Sequence, residues 1–145
     1  MRPALLIPLL AAAVALGGCT TAPATDPNAP VITGRAHYKA RITMPAAAVF
    51  EATLEDVSRA DAPSVVVAQV RLTNLQPPPF RFTLPYDPAK IVPGHRYVVR
   101  GRITLSEAVR FRTVTSAPVL GPDAIKHVEL QLEGDGGSFK PLPGT

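Results

Sequence analysis

The single cysteine carries the sharpest chemistry in this sequence. Cys19 follows Leu16-Gly17-Gly18 directly, and a thiol, once deprotonated, is a nucleophile toward an alkyl or acyl donor. Alone, it can form neither an internal disulfide nor a thiolate cluster. His37, His95 and His127 fall in separate segments with no Cys, Asp or Glu at a ligand spacing, so no metal site is expected. His37 and His127 read as polar residues on solvated strand faces, and His95, after Pro93-Gly94, as a turn residue. Hydrolysis needs a nucleophile, a base and an orienting acid. No G-x-S-x-G elbow occurs, and Ser58, Ser64, Ser106, Ser116 and Ser138 lack such a context, so the chain reads as a non-enzyme. The densest polar cluster, residues 55–61 (EDVSRAD), does not match the spacing of a calcium loop. It reads as a turn in which Asp56 and Ser58 bond nearby backbone N–H groups.

The context of Cys19 is an address. Met1 and Arg2 give a positive start, and residues 4–16 are an uncharged run of 13 residues, the layout of a secretory signal. As a helix that run is about 20 Å long against a hydrocarbon core of about 30 Å, too short to span. The L-G-G-C box resembles the bacterial lipobox, which implies diacylation of the Cys19 thiol and cleavage between Gly18 and Cys19. Two or more acyl chains anchor stably where one binds marginally, so the membrane is reached through covalent lipid on Cys19, and no cofactor is expected. Thr20 stands where Asp is absent; the resemblance to sorted lipoproteins then implies the outer membrane, facing the periplasm.

Composition bounds the remainder. Lys and Arg number 15 against 11 acids, too mild a bias to indicate a nucleic-acid partner. With 17 Pro and 10 Gly in 145 residues, long helices are largely excluded. Four segments follow: a signal at 1–18, a Pro-rich lipid-anchored tether at 19–33, a folded domain at 34–133 and a loose tail at 134–145. Residues 35–42 alternate Ala36, Tyr38, Ala40 and Ile42 with charged neighbours, as a half-buried strand does. The same period runs through Phe50, Ala52 and Leu54; Val66 to Leu72; Phe80, Phe82 and Leu84; Tyr97 to Leu105; Val109 and Phe111; and Val128, Leu130 and Leu132. Seven such strands with Pro and Gly turns predict an all-β, antiparallel sandwich of immunoglobulin-like architecture, with a small open β-barrel as the alternative.

Alternation also sets an expectation for the hairpin around residues 96–113. Keeping Ile103 and Phe111 on one face favours a three-residue turn, Ser106-Glu107-Ala108, pairing Leu105 with Val109 and Arg102 with Arg112. Like charges placed opposite destabilise a sheet, so these two should meet an acid such as Glu129 or Glu133, or an anionic partner. Arg96, Arg100, Arg102, Arg110 and Arg112 form the candidate basic binding face. It would suit an acidic envelope protein, an anionic glycolipid or peptidoglycan.

Several stretches together carry a family likeness: I-T-M-P at 42–45 before A-A-A-V-F-E at 46–51, L-E-D-V-S-R-A-D-A-P at 54–63, F-R-F-T-L-P-Y-D-P at 80–88, and R-Y-V-V-R-G-R-I at 96–103. The set resembles the YbaY-like lipoproteins, relatives of the YscW-type lipoprotein chaperones (pilotins) of type III secretion. The resemblance implies a small β-domain on a lipid anchor, without catalysis, acting as a binding or chaperone module for an envelope protein. For the pilotin branch it implies a secretin-type partner.

Overall fold

The structure, a computed structural model, describes residues 28–121 and 127–134. Gly18 and Cys19 lie outside the described residues, as does the tail beyond Gly134. Eight strands form: β1 (Val31–Tyr38), β2 (Val49–Asp56), β3 (Val65–Leu72), β4 (Phe80–Pro85), β5 (Tyr97–Leu105), β6 (Ala108–Thr113), β7 (Ala117–Val119) and β8 (His127–Gly134). A 3₁₀ turn at Pro88–Lys90, capped by the Asp87 carboxylate accepting the Ala89 N–H, is the helical element among them. The all-β expectation holds, and of the two arrangements foreseen the strands take the open barrel. They make one continuous sheet in the order β3-β2-β5-β6-β8-β1-β4, with β7 paired to β5. The end strands β3 and β4 come close without a shared ladder, which leaves a seam. Every pair is antiparallel except β1 with β8, so the sheet is mixed.

Closure gives each strand one inner face. Ile32, Ala36 and Tyr38 of β1, Phe50, Ala52 and Leu54 of β2, Phe80, Phe82 and Leu84 of β4, and Val128, Leu130 and Leu132 of β8 fill it. Full burial of such a side chain contributes about 1.5–3 kcal/mol. Phe50 meets Phe80 edge-on at 4.9 Å and Phe82 at 5.6 Å, and two glycines make room for these rings. A Cβ at Gly34 would lie 2.4 Å from the Phe82 ring and 2.6 Å from the Val128 carbonyl; one at Gly101 would lie 2.9 Å from Phe50.

The first strand begins at Val31 and ends at Tyr38, earlier than the alternation at 35–42 suggests. Val31 to Thr33 therefore belong to the sheet and not to a tether, and Ala40 and Ile42 fall beyond the strand. Tyr38 Oη donates to the Ile42 carbonyl at 3.3 Å and holds the chain as it leaves. The expected three-residue hairpin turn is also corrected. Leu105 pairs with Ala108 across a two-residue turn, Ser106-Glu107, whose φ angles are both positive (50° and 66°). Such a turn matches strand twist. The phase error it creates is removed by a bulge: the register shifts after Ile103, so Thr104 faces Val109 while Ile103 faces Phe111, with Arg110 the extra residue. Positive φ thus falls on Ser106 and Glu107, not on Ala108. The short β7 has no counterpart in the alternation; Pro118, which has no N–H, is tolerated there because β7 pairs with β5 alone.

One polar clip fastens the end of β2 to the start of β5. The Asp56 carboxylate accepts from the Ser58 N–H at 2.9 Å and Oγ at 2.6 Å, as a turn at 55–61 requires, and meets His95 Nδ1 at 2.6 Å. The Arg96 N–H donates to Ser58 Oγ at 2.7 Å. The Ser58 and His95 hydrogen bonds hold the Asp56 carboxyl down, to about 2.

Two outcomes follow from this packing. Gly34→Ala should lower stability in urea unfolding by about 3 kcal/mol, because the Val128 carbonyl cannot move aside. Since Asp56 titrates below its ordinary 3.8 in the fold, its stabilisation is present above that value and lost as pH falls toward about 2. Asp56→Asn should flatten the stability–pH curve across that interval, measured by thermal melts at successive pH values.

Candidate functional site

The outer wall of β3, β2, β5 and β6 carries a charged groove of about 540 Å³, lined by Glu51, Thr53, Glu55, Val66, Gln69, Arg100, Arg102, Arg112, Thr113, Val114 and Ser116. A second hollow of about 370 Å³ continues it past Glu51 and Arg102 to Ser106 and Glu107. The groove exists because β5 is bordered by β6 at one half and β7 at the other. Between them residues 114–116 leave the ladder, and the Gly101 N–H donates instead to the Thr113 hydroxyl at 3.2 Å.

Its floor is acidic and its walls are basic. Glu51 is 4% exposed and Glu55 9%, although both stand on the outer face of β2. Long arginine side chains from neighbouring strands lie over them. Glu51 accepts from Arg71 of β3 at 2.6 Å and from Arg102 of β5. Glu55 accepts from Thr53 at 2.9 Å, Ser64 at 2.7 Å and Arg100 at 3.1 Å. Buried carboxylates are tolerated only when paired and hydrogen-bonded in this way. The arginine side chains stay about half exposed, at 64% for Arg71, 47% for Arg100 and 52% for Arg102. The result is a row of outward donors held in place by the acids beneath, a geometry suited to carboxylate or phosphate acceptors.

The groove gathers three of the five arginines of the candidate basic face. Arg100, Arg102 and Arg112 line it; Arg112 stands opposite Arg102 as expected, and opposite Glu133 on β8. Arg96 is turned to the Val57 and Ser58 carbonyls in the clip, and Arg110 sits at the bulge with its Nε buried and without a hydrogen-bond partner. Glu129 pairs with Arg35, not with the hairpin arginines. Arg71 reads from the sequence as one outward strand cation among several, outside the five-arginine face, and Glu51 and Glu55 are the members that strand-by-strand reading misses. The signal for them is the outward set Glu51, Thr53 and Glu55, which becomes a groove floor only once β3 and β5 flank it.

Elsewhere the polar clusters are structural. Ser58 Oγ is engaged by Asp56 and the Arg96 N–H, and His95 by Asp56, so this trio lacks the nucleophile-to-base contact that acyl transfer requires. Among the described residues no group of three His, Cys, Asp or Glu is placed to hold a metal.

Residues 27–132 match the family described as type III secretion system lipoprotein chaperone (YscW). The chain belongs to this family. It is 29% identical over 164 aligned residues to YbaY of Escherichia coli strain K12, an uncharacterized lipoprotein, with 94% of this chain and 86% of that protein covered. Among solved structures, an alternative pilotin from the type II secretion system of Vibrio cholerae superposes with a TM-score of 0.70 at 42% identity, over 74% of this chain and 98% of the other.

The groove makes an asymmetric prediction. Removing the acid frees arginines that already reach water, so Glu51→Gln should cost about 1 kcal/mol. Arg71→Met with Arg102→Met keeps long side chains over the carboxylate but removes both its donors, and should cost about 3 kcal/mol. Equal losses in urea titrations of the two variants would show that the acid does not depend on these donors.

Proposed function

We propose that this protein is a lipid-anchored, pilotin-like chaperone without catalytic activity, held by acylated Cys19 on the periplasmic side of the outer membrane, and that its wall groove receives an acidic segment of a secretin-type envelope protein. The single observation that carries the reading is the pinned row of Arg71, Arg100 and Arg102 over Glu51 and Glu55. Arginines already oriented by buried acids lose little freedom when a partner carboxylate arrives, which favours binding. The family match and the likeness to a type II secretion pilotin support the chaperone role. The L-G-G-C box supports the anchor, and Thr20 supports outer-membrane sorting. Because Glu51 and Glu55 offset two of the cations, the groove suits discrete carboxylates better than a continuous anionic surface, and this favours a protein partner over glycolipid or peptidoglycan.

Anchor and groove are tested separately in cells. Cys19→Ala should take up no labelled fatty acid and remain uncleaved, and Thr20→Asp should shift the protein toward the inner membrane on a density gradient. Arg100→Glu with Arg102→Glu should leave acylation intact and lower the amount of secretin-type multimer in the outer membrane about tenfold, as loss of a close charge pair does. An unchanged multimer level in that variant would remove the groove as the partner site, and labelled Cys19→Ala protein would remove the anchor.

A further inference from the structure

The large apolar side chains left in water are not spread evenly. Among the described residues they are Val31 (50% exposed), Val65 (63%), Val66 (52%), Val92 (47%) and Val114 (60%). The pairing directions give the barrel two distinct ends: β1, β3, β5 and β8 begin at the same end, where β2, β4 and β7 finish. Val31 opens β1, and Val65 and Val66 open β3. Val92 lies in the connection from β4 to β5, its N–H donating to Tyr97 Oη at 2.8 Å. Three of the five, Val31, Val65 and Val92, thus lie toward one end, while Val66 and Val114 line the wall groove. At the opposite end Ile42, Met44 and Leu75 are packed against the core.

The end that shows valines is also the end at which the chain enters. Eight residues lie between Cys19 and Asn28, the first described residue, and at about 3.1 Å for each residue step the two are no farther apart than about 30 Å. We propose that the chain-entry end of the barrel is a membrane-docking surface: Val31, Val65 and Val92 rest in the headgroup region of the leaflet that holds the acylated cysteine. This rests on the lipid-anchor reading and is independent of what fills the wall groove. Val31, Val65 and Val92, exposed together at this end, gain burial only if it meets an apolar boundary. In this orientation the β3-β2-β5-β6 wall stands upright on the membrane, with its arginine row facing the periplasm.

The test uses the mature acylated protein in vesicles of phosphatidylethanolamine and phosphatidylglycerol. A nitroxide is placed at Val92→Cys or, at the far end, at Gln76→Cys; acylated Cys19 takes no label. Flotation with the vesicles reports the anchor, and access of aqueous and lipid-phase relaxation agents reports the docking. The Val92 probe should lose access to the aqueous agent and gain contact with the lipid-phase one, while the Gln76 probe keeps the reverse. Adding Val31→Ser and Val65→Ser to the Val92→Cys protein, with an unchanged melting temperature, should return its aqueous access to that of the Gln76 probe. Equal access at both sites in floating protein overturns the proposal while the anchor stands. Shielding of Val92 that rises with protein density assigns the surface to a second copy and overturns it too, as does shielding that appears only after a partner protein is added. Loss of flotation removes the anchor and the docking together.

Discussion

A single sheet curled on itself has one interior, and every strand must send its apolar set there. That constraint governs the rest of the structure. A slip of one residue in any strand exchanges the inner and outer sets completely, so local irregularities survive only where they repair phase. The β5–β6 hairpin illustrates this. Its tight turn at Ser106-Glu107 would by itself place Phe111 out of step with Ile103, and the bulge at Arg110 returns them to the same face. The ring cluster of Phe50, Phe80 and Phe82 imposes a second condition, because the small interior accepts three phenyl groups only where Gly34 and Gly101 present no side chain.

The outer wall follows from the same alternation. Once Phe50, Ala52 and Leu54 are committed inward, Glu51, Thr53 and Glu55 must face out, between two strands whose outward residues include Arg71, Arg100 and Arg102. Cross-strand attraction then turns what would be a solvated stripe into a built site. The acids are buried and hydrogen-bonded by the arginines, and the arginines are held by the acids while their side chains stay about half exposed. The unpaired stretch at residues 114–116 opens the wall beside them. The groove therefore arises from an interruption in the ladder, where backbone groups and side chains are not consumed by the sheet.

The same organisation separates three features along the molecule. The N-terminal segment carries the L-G-G-C box, the chain-entry end carries three of the exposed valines, and the wall carries the oriented arginines. The Asp56–Ser58–His95 clip fits this arrangement by fastening the connections at the entry end, so that β2 and β5, which bear the groove, keep a fixed relation.

Much of this was legible in the residues. The period-2 runs and the Pro and Gly content determined an all-β fold and most of the inward set, because these depend on local chemistry and on alternation along one strand. The family likeness was legible too, through runs such as L-E-D-V-S-R-A-D-A-P. The tertiary structure alone decided what depends on which strand lies beside which. Val31 to Thr33 look like tether until β4 and β8 pair with them, and β7 has too few residues to announce itself. Arg96 and Arg100 look equivalent on one strand, yet one is turned to the carbonyls of a turn and the other to a buried glutamate. Whether a charge is a binding group or a fastening is a property of its neighbours across the sheet, and a strand read by itself does not contain them.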